Sequence, residues 1–244
     1  MNFITLAFDA ILYTPMLNIL IWLYGLIGNF GVAIIILTLL IKVVLHPLNK
    51  KSIESQKAMA EIQPKMQEIQ NKYKDNKEKQ ATELVNLYKQ EKFNPFAGII
   101  LLFLQIPILI ALFYVVSNGM DLSKIGSMLY PFVQLPQAIY PYLVNLNGFE
   151  LLDLSKPNIY LAVITAAAQF WQIKTATPPA PVKTTKSNDN VADISNMMQK
   201  QMVFFVPLLT FIVLFRLPAA LGLYWVVSTI ISVFEQKQLL NKKK

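Results

Sequence analysis

Long apolar stretches alternate with polar segments along this chain. At a rise of about 1.5 Å per residue, a helix of roughly 20 apolar residues reaches across the hydrocarbon core of a bilayer. The last apolar run, 202–233, is too long for one span of that kind, and it contains Arg216 followed by Pro218. We therefore expect it to form two short spans. The predicted spans are 28–48, 95–116, 158–173, 201–216 and 218–234.

The N-terminal segment, 1–25, is apolar but contains Asp9 and Pro15, and it ends with Trp22 and Tyr24. Aromatic side chains of this kind are typical of the headgroup region of a membrane. The pattern favours an amphipathic helix that lies in the outer interface. A full first span is the alternative. The segment has neither a basic start nor a small-residue cleavage site, so we expect no removable signal peptide.

The polar segment 49–93 predicts a helical hairpin. Apolar residues recur at intervals of three and four, which is the spacing of a coiled-coil seam. KDNK at 74–77 is a turn signal, and a second amphipathic stretch follows it. Pro64 is expected to kink the first helix. The seam and the proline comprise Met59, Ile62, Pro64, Met66, Ile69 and Tyr73.

This hairpin has two interpretations. It could be a solvated spacer that only connects two spans. Its methionine-rich and basic surfaces could instead dock a partner or anionic lipid. The docking element is the interpretation that we favour, although composition alone does not choose its partner.

Charge placement predicts the topology. The chain is 55% hydrophobic with a net charge of +8, as expected of an integral membrane protein. Lysines concentrate in 49–93, in the polar linker 174–200 and in the tail 235–244, whereas the Pro- and aromatic-rich loop 117–157 has few. Basic segments stay in the cytoplasm. The fold class predicted is an all-α membrane protein with five transmembrane helices, the N-terminus outside and the C-terminus inside.

The residue inventory argues against several functions. There is no cysteine and only one histidine, so disulfides, thiolate metal sites and multi-histidine sites are excluded. No nucleotide-binding, hydrolase or metalloprotease motif is present. We therefore predict a protein that is not an enzyme, needs no cofactor and does not bind nucleic acid directly.

Lys42 is the exceptional residue because it lies inside the predicted first span. A charge in hydrocarbon costs a few kcal/mol or more, so such a residue faces water or a partner. Its stem could instead carry the ammonium to the cytoplasmic headgroups. No acidic residue occurs in another predicted span, so the sequence predicts a wet cavity and no buried ion pair. Polar residues that could line it are Thr38, Gln105, Gln169, Gln172, Thr210, Tyr224, Trp225 and Ser228.

Several segments, taken in order, resemble the YidC/Oxa/Alb membrane protein insertases. The segments are GNFGVAIIILTLLIKVVLHPL, IQPKMQEIQNKYKDNKEK, LYKQEKFNPFAG, LLFLQIPILIALFYV and LPAALGLYWVVSTI, within about 15–240. The resemblance implies five spans, an outer amphipathic helix and a cytoplasmic hairpin that recruits substrates. It also implies a hydrophilic groove, open to cytoplasm and lipid, with Lys42 at its basic position and Gln172 and Trp225 at other groove positions.

The implied function is insertion and folding of nascent membrane proteins in a bacterial plasma membrane, alone or with the Sec translocon. The bilayer, the ribosome and the signal recognition particle machinery are the other implied partners. The family usually has arginine where this chain has Lys42. Lysine lacks the planar fork of arginine and releases its proton more readily when it is buried. The tail is short, which puts ribosome binding through it in doubt.

Two rival functions come from other classes. One is a small anion transporter or channel that uses Lys42 as its anion site. The other is a membrane-anchored coiled-coil adaptor whose active part is the hairpin alone. In the adaptor, loss of Lys42 would be silent, whereas loss of the hairpin would not.

Overall fold

The computed structural model describes residues 3–91, 93, 97–119, 121–146, 149–176 and 203–241. The described chain is mostly helical, and its elements are named here in chain order. They are α1 (Phe3–Phe8), a π-helical turn (Asp9–Tyr13), α2 (Thr14–Ile27), α3 (Phe30–Lys72), α4 (Lys77–Gln90), α5 (Ala97–Gly119), α6 (Leu122–Ile125), a 3₁₀ turn (Gly126–Met128), β1 (Tyr142–Leu146), β2 (Phe149–Asp153), α7 (Ile159–Ala176), α8 (Val203–Leu214) and α9 (Ala219–Asn241).

Three of the described helical segments are long and apolar enough to cross a membrane: Phe3–Ile27, Phe30–Lys72 and Ala219–Leu239. A fourth is possible if Leu104–Asn118 and Leu122–Met128, which meet at an angle of 116°, form one broken span. The helix α8 is apolar but shorter. The chain is thus a helical protein with several membrane-compatible helices, and the five spans and their orientation stay a prediction.

The N-terminal helices pack into the core of the bundle. Leu17, Leu20 and Ile21 of α2 are fully buried and belong to the same apolar cluster as Phe30 and Leu37 of α3. Because this segment also has the length of a span, the described fold leaves the interfacial position of 1–25 a prediction.

The first helix of the predicted hairpin is the continuation of the first span. The predicted span 28–48 and the first predicted hairpin helix form one helix, because α3 continues through Pro47 and Pro64 to Lys72. A proline removes one backbone donor. The buried side chains of Asn49, Ser52 and Ile53 show that tertiary packing continues beyond Pro47, which offsets that loss.

The hairpin is completed by α4. The side chain of Asn76 accepts a hydrogen bond from the Lys79 amide and caps this helix. Gln80 Nε2 donates to the Gln70 carbonyl at 2.9 Å, and Lys65 pairs with Glu91 at 2.6 Å, so α4 lies back against α3.

The segment predicted as a basic tail, 235–244, is helical to Asn241, since α9 continues past the predicted end of its span at 234. The all-α prediction is wrong for the loop 117–157, which contains the antiparallel pair β1 and β2. Backbone pairing between these strands satisfies donors and acceptors that a loop without regular structure would leave to water. Most of the predicted linker 174–200 lies outside the described residues.

The loop 117–157 packs along α2 and on the N-terminal end of α3. Asn18 Nδ2 donates to the Met128 carbonyl at 3.0 Å, and Asn18 Oδ1 accepts from the Tyr130 amide at 2.6 Å. The hydroxyl of Tyr24 accepts from the Tyr140 amide at 3.0 Å. The loop therefore covers the end of the bundle that is opposite to the hairpin.

Candidate functional site

The core of the site lies where α3 packs on α9. Lys42 is 9% exposed, and its Nζ donates a hydrogen bond of 2.6 Å to Ser232 Oγ. Seen along α3, Lys42 lies about 17 Å from Gly31 under the loop and about 10 Å from Asn49 towards the hairpin. Neighbours on the same helix, Val43 and Val44, are more than two-thirds exposed. The helix thus presents a charged face to the protein and an apolar face outward.

A second polar contact joins α5 to α9 near this position. Gln105 Nε2 donates to the Tyr224 hydroxyl at 2.7 Å, and Tyr224 also bonds the side chain of Ser228. Tyr224, Ser228 and Ser232 are spaced four residues apart, so they lie on one face of α9. That face carries polar groups towards α3 and α5 inside an otherwise apolar bundle.

Two of the predicted residues, Thr38 and Thr210, are buried but use their hydroxyls within their own helices. Thr38 Oγ1 donates to the Ile34 carbonyl at 2.7 Å, and Thr210 Oγ1 donates to the Val206 carbonyl at 3.0 Å. Because each hydroxyl proton is already donated to a backbone carbonyl, it cannot be donated to another partner at the same time. Each side chain still offers an oxygen as an acceptor.

The remaining predicted residues lie on α7 and α9. Gln169 Oε1 is buried and has no hydrogen-bond partner among the described residues. Gln172 is half-buried, and its backbone carbonyl accepts a bond from Thr175. Trp225 is half-buried and packs against the apolar cluster of Ala162, Leu214 and Leu221. Hydrogen bonds join Lys42 and Gln105 to α9, which also carries Tyr224 and Ser228. Gln169 and Gln172 lie on the neighbouring α7.

The sequence-based reasoning missed a set of residues at the inner end of this interface. We expected no acidic partner for Lys42, but α9 continues past the predicted span and brings Glu235 to α3. His46 Nδ1 lies 2.6 Å from Glu235 Oε1, and Asn49 Nδ2 donates to Glu235 Oε2 at 3.3 Å. Glu235 also attracts the Lys42 ammonium electrostatically. The recurrence of polar residues at 228, 232 and 235 was the available signal, because this spacing keeps one helical face.

The hairpin residues predicted as a seam are unequally buried. Ile62 is buried, Met66, Ile69 and Tyr73 are half-buried, and Met59 is exposed. Tyr88 of α4 donates its hydroxyl to Met66 Sδ at 3.9 Å. Pro64 lies inside the helix with its side chain exposed. The described residues contain no group of three or more His, Cys, Asp or Glu placed to hold a metal ion.

Taken together, the described fold and site define a helical integral membrane protein with a charged, hydrogen-bonded interface between apolar helices. The family model described as "60Kd inner membrane protein" matches residues 22–244. The chain belongs to this family, the YidC/Oxa/Alb family that its sequence resembles. It is a multi-pass protein of a bacterial inner membrane.

Relatives that carry the name membrane protein insertase YidC match most of the chain. The relative from Chlorobium limicola is 34% identical over 220 residues, or 90% of this chain and 34% of its own length. The relative from Cupriavidus necator is 33% identical over 94% of this chain and 36% of its own length. The chain thus spans about a third of the length of these relatives.

A solved structure titled as an active YidC insertase with its first transmembrane domain resolved has a similar fold. The TM-score is 0.60 at 23% identity, over 97% of this chain and 47% of that chain. The similarity confirms the overall arrangement of helices.

Proposed function

We propose that this chain inserts transmembrane segments of other proteins into the membrane, with the interface around Lys42 receiving their polar residues. The observation that carries the proposal is the burial of an ammonium between apolar helices, with a hydroxyl of α9 as its hydrogen-bond partner. A stably folded membrane protein has little reason to keep such a costly group unless it acts on something. The names of the relatives, insertases, support the same activity.

The physical task of an insertase is to lower the barrier that a polar segment meets in hydrocarbon. The polar groups of Lys42, Ser232, Gln105 and Tyr224 offer hydrogen bonds part of the way across that layer. A hydrophilic groove open to the cytoplasm and lipid would collect these groups. An acidic residue of the substrate would be attracted to Lys42, and this attraction strengthens as the local dielectric falls.

The apolar outer faces of α5 and α8 give the substrate helix a path into lipid. Ile106 and Ile110 of α5 are exposed, as are Phe205 and Leu209 of α8. Apolar side chains on the substrate would leave water along these faces, which the hydrophobic effect favours. In this mechanism, insertion is driven by the hydrophobic effect and by the attraction to Lys42, without another energy source.

The hairpin of α3 and α4 would recruit substrates on the cytoplasmic side. It is joined to Lys42 by one continuous helix, so its position relative to the site is fixed by α3. The Sec translocon, the ribosome and the signal recognition particle machinery are the partners that we propose for this surface. The proposed orientation places the N-terminus outside and the C-terminus inside.

The test is insertion of a single-span substrate with an acidic N-terminal tail into liposomes that contain the purified chain. Wild type, Lys42→Arg, Lys42→Ala and the control Lys50→Ala would be compared, because Lys50 is an exposed lysine of the same helix. We expect wild type, Lys42→Arg and Lys50→Ala to insert the substrate, and Lys42→Ala to lose most of this activity.

Three outcomes would contradict the proposal. Equal insertion by all four proteins would show that Lys42 does not receive the polar tail. A transporter would be favoured if none of the four proteins inserted more substrate than empty liposomes do and if the liposomes showed flux of a small anion that depends on Lys42. An intact function in Lys42→Ala that is lost on deletion of residues 55–90 would favour an adaptor.

A further inference from the structure

Glu235 takes part in one of two polar side-chain contacts between α3 and α9. The first contact is between Lys42 and Ser232, and the second is between His46 and Glu235. Lys42 and His46 are four positions apart on α3, and Ser232 and Glu235 are three apart on α9. The two contacts are therefore about one helical turn, or 5–6 Å, apart. The carboxylate and the ammonium are therefore neighbours on facing helices.

The carboxylate is held in place by its partners. The side chain of Glu235 is 14% exposed, and its two oxygens are separately engaged by His46 and Asn49. It attracts Lys42 electrostatically, as a negative charge one turn away must do in a partly buried setting. Both side chains can be accommodated because each charge partly offsets the other.

The residues that follow Glu235 fix the same turn of α9 to α7. Thr175 Oγ1 donates to Gln236 Oε1 at 3.4 Å, and Lys237 Nζ lies 4.9 Å from the centre of the Trp171 ring. Neither contact involves α3. With α7 holding one side of this turn, Glu235 stays directed at α3.

We infer that Glu235 is the resident counter-ion of Lys42 and sets how strongly the site prefers acidic over neutral substrate segments. The inference rests on the proposed function, because it concerns the selectivity of the same site. An incoming carboxylate competes with a negative charge that already partly offsets the charge of Lys42. Removal of the Glu235 charge leaves the ammonium uncompensated, and the preference for acidic segments rises.

The experiment measures binding separately from insertion. Two apolar helical peptides carry the same photoreactive group, one with three Asp and the other with three Asn in its N-terminal tail. Each is cross-linked to the full chain in detergent, and the yield ratio of the Asp to the Asn peptide is recorded for wild type, Glu235→Gln and Glu54→Gln. Glu54 is a matched control, since its exposed carboxylate lies on α3 with Lys50 as its ion-pair partner.

We expect the Asp/Asn ratio to rise about threefold or more in Glu235→Gln and to stay at the wild-type value in Glu54→Gln. The ratio cancels any general loss of binding, and Gln keeps the shape of Glu and one acceptor oxygen, while its NH2 group replaces the second acceptor by a donor. Lys42→Ala combined with Glu235→Gln should bring the ratio back down, because no ammonium remains to attract the Asp residues of the peptide.

An unchanged or lower ratio in Glu235→Gln would overturn the inference. So would the absence of cross-linking for both peptides in every variant, since there would be no preference to set. Insertion of the same peptides into liposomes is scored in parallel. Loss of insertion with a ratio that still responds to Glu235 contradicts the proposed function alone, whereas insertion with an unresponsive ratio contradicts only the role of Glu235.

Discussion

Gly31 lies directly beneath Leu143, so that a Cβ built on Gly31 would be 2.7 Å from both the Cα and the Cδ1 of Leu143. Real Cβ atoms do not approach backbone atoms this closely. The β1 strand of the loop therefore rests on the first turn of α3 at a position that only glycine allows. This close approach attaches the loop to the end of the bundle that is opposite to the hairpin.

Replacement of Gly31 by alanine should detach or shift that strand. We expect Gly31→Ala to lower the free energy of unfolding by about 1–3 kcal/mol, the usual cost of overpacking. Thermal unfolding in detergent and amide exchange of β1 would measure it. Gly25→Ala is the control, since a Cβ there meets no atom within 4 Å. A Gly31→Ala protein as stable as Gly25→Ala would contradict the close approach.

Asn18 should be essential for holding the loop on α2. It is almost fully buried, donates to the carbonyls of Thr14 and Met128 and accepts from the amide of Tyr130. Asn18→Ala removes the partner of the Met128 carbonyl and of the Tyr130 amide, so we expect the free energy of unfolding to fall by about 2 kcal/mol. Amide exchange at Tyr130 would report it directly. Asn86→Ala, an exposed change on α4, should leave that amide protected.

The Gln105 and Tyr224 hydrogen bond should appear as an energetic coupling between α5 and α9. Tyr224→Phe keeps the buried ring and removes the hydroxyl that Gln105 uses. Each single variant already removes this hydrogen bond, so the destabilisation of the double variant with Gln105→Leu should be smaller than the sum of the two single destabilisations. We expect a coupling of about 0.6 kcal/mol, measured by unfolding in mixed micelles. Additive effects would show that the bond contributes nothing.

Packing of the hairpin should depend on Ile62 far more than on its exposed neighbour Met59. Ile62 is 4% exposed, whereas Met59 is 39% exposed. We expect Ile62→Ala to destabilise the hairpin by about 2–4 kcal/mol and Met59→Ala to have a small effect. Limited proteolysis of residues 73–91 would distinguish them. Equal cleavage of both variants would argue that α4 is not packed through this residue.

The turn at Asp153 to Lys156 should make the start of α9 sensitive to pH. The first amides of α9, on Ala219 and Ala220, donate to the carbonyls of Lys156 and Leu154. Burial opposes ionisation of Asp153, but its bonds to Ser155 and Lys156 outweigh this and lower the pKa of the carboxyl. The same partnership raises the pKa of Lys156.

The direction of the pH dependence follows from the lowered pKa of Asp153 and the raised pKa of Lys156. A lowered carboxyl pKa gives stability that is present above about pH 4 and is lost as the pH falls further. A raised ammonium pKa gives stability that is present up to about pH 10.4 and is lost above it. Exchange of the Ala219 and Ala220 amides, corrected for intrinsic rates, should therefore be slowest between these limits. Asp153→Asn should remove the acidic limb, and an unchanged profile would contradict the role of the turn.

Much of the architecture was predictable because hydropathy and helical spacing are local properties. The apolar stretches appear as helices, the KDNK turn separates α3 from α4, and Asn76 caps the second hairpin helix as its side-chain chemistry allows. The family assignment from ordered segments is confirmed by the family model. Pro47 does not end α3, because a proline signals a helix boundary only when tertiary contacts do not compensate for it.

The sequence by itself determined that the chain is a helical membrane protein with one costly ammonium at Lys42. Hydrophobicity and charge cost are properties of single residues and short windows, so they can be read directly. Only the tertiary structure decided which groups receive that ammonium. Ser232 is 190 residues away, and Glu235 joins it because α9 stays helical beyond its apolar part. Contacts between distant segments arise from the packing of whole helix faces, which no local pattern encodes.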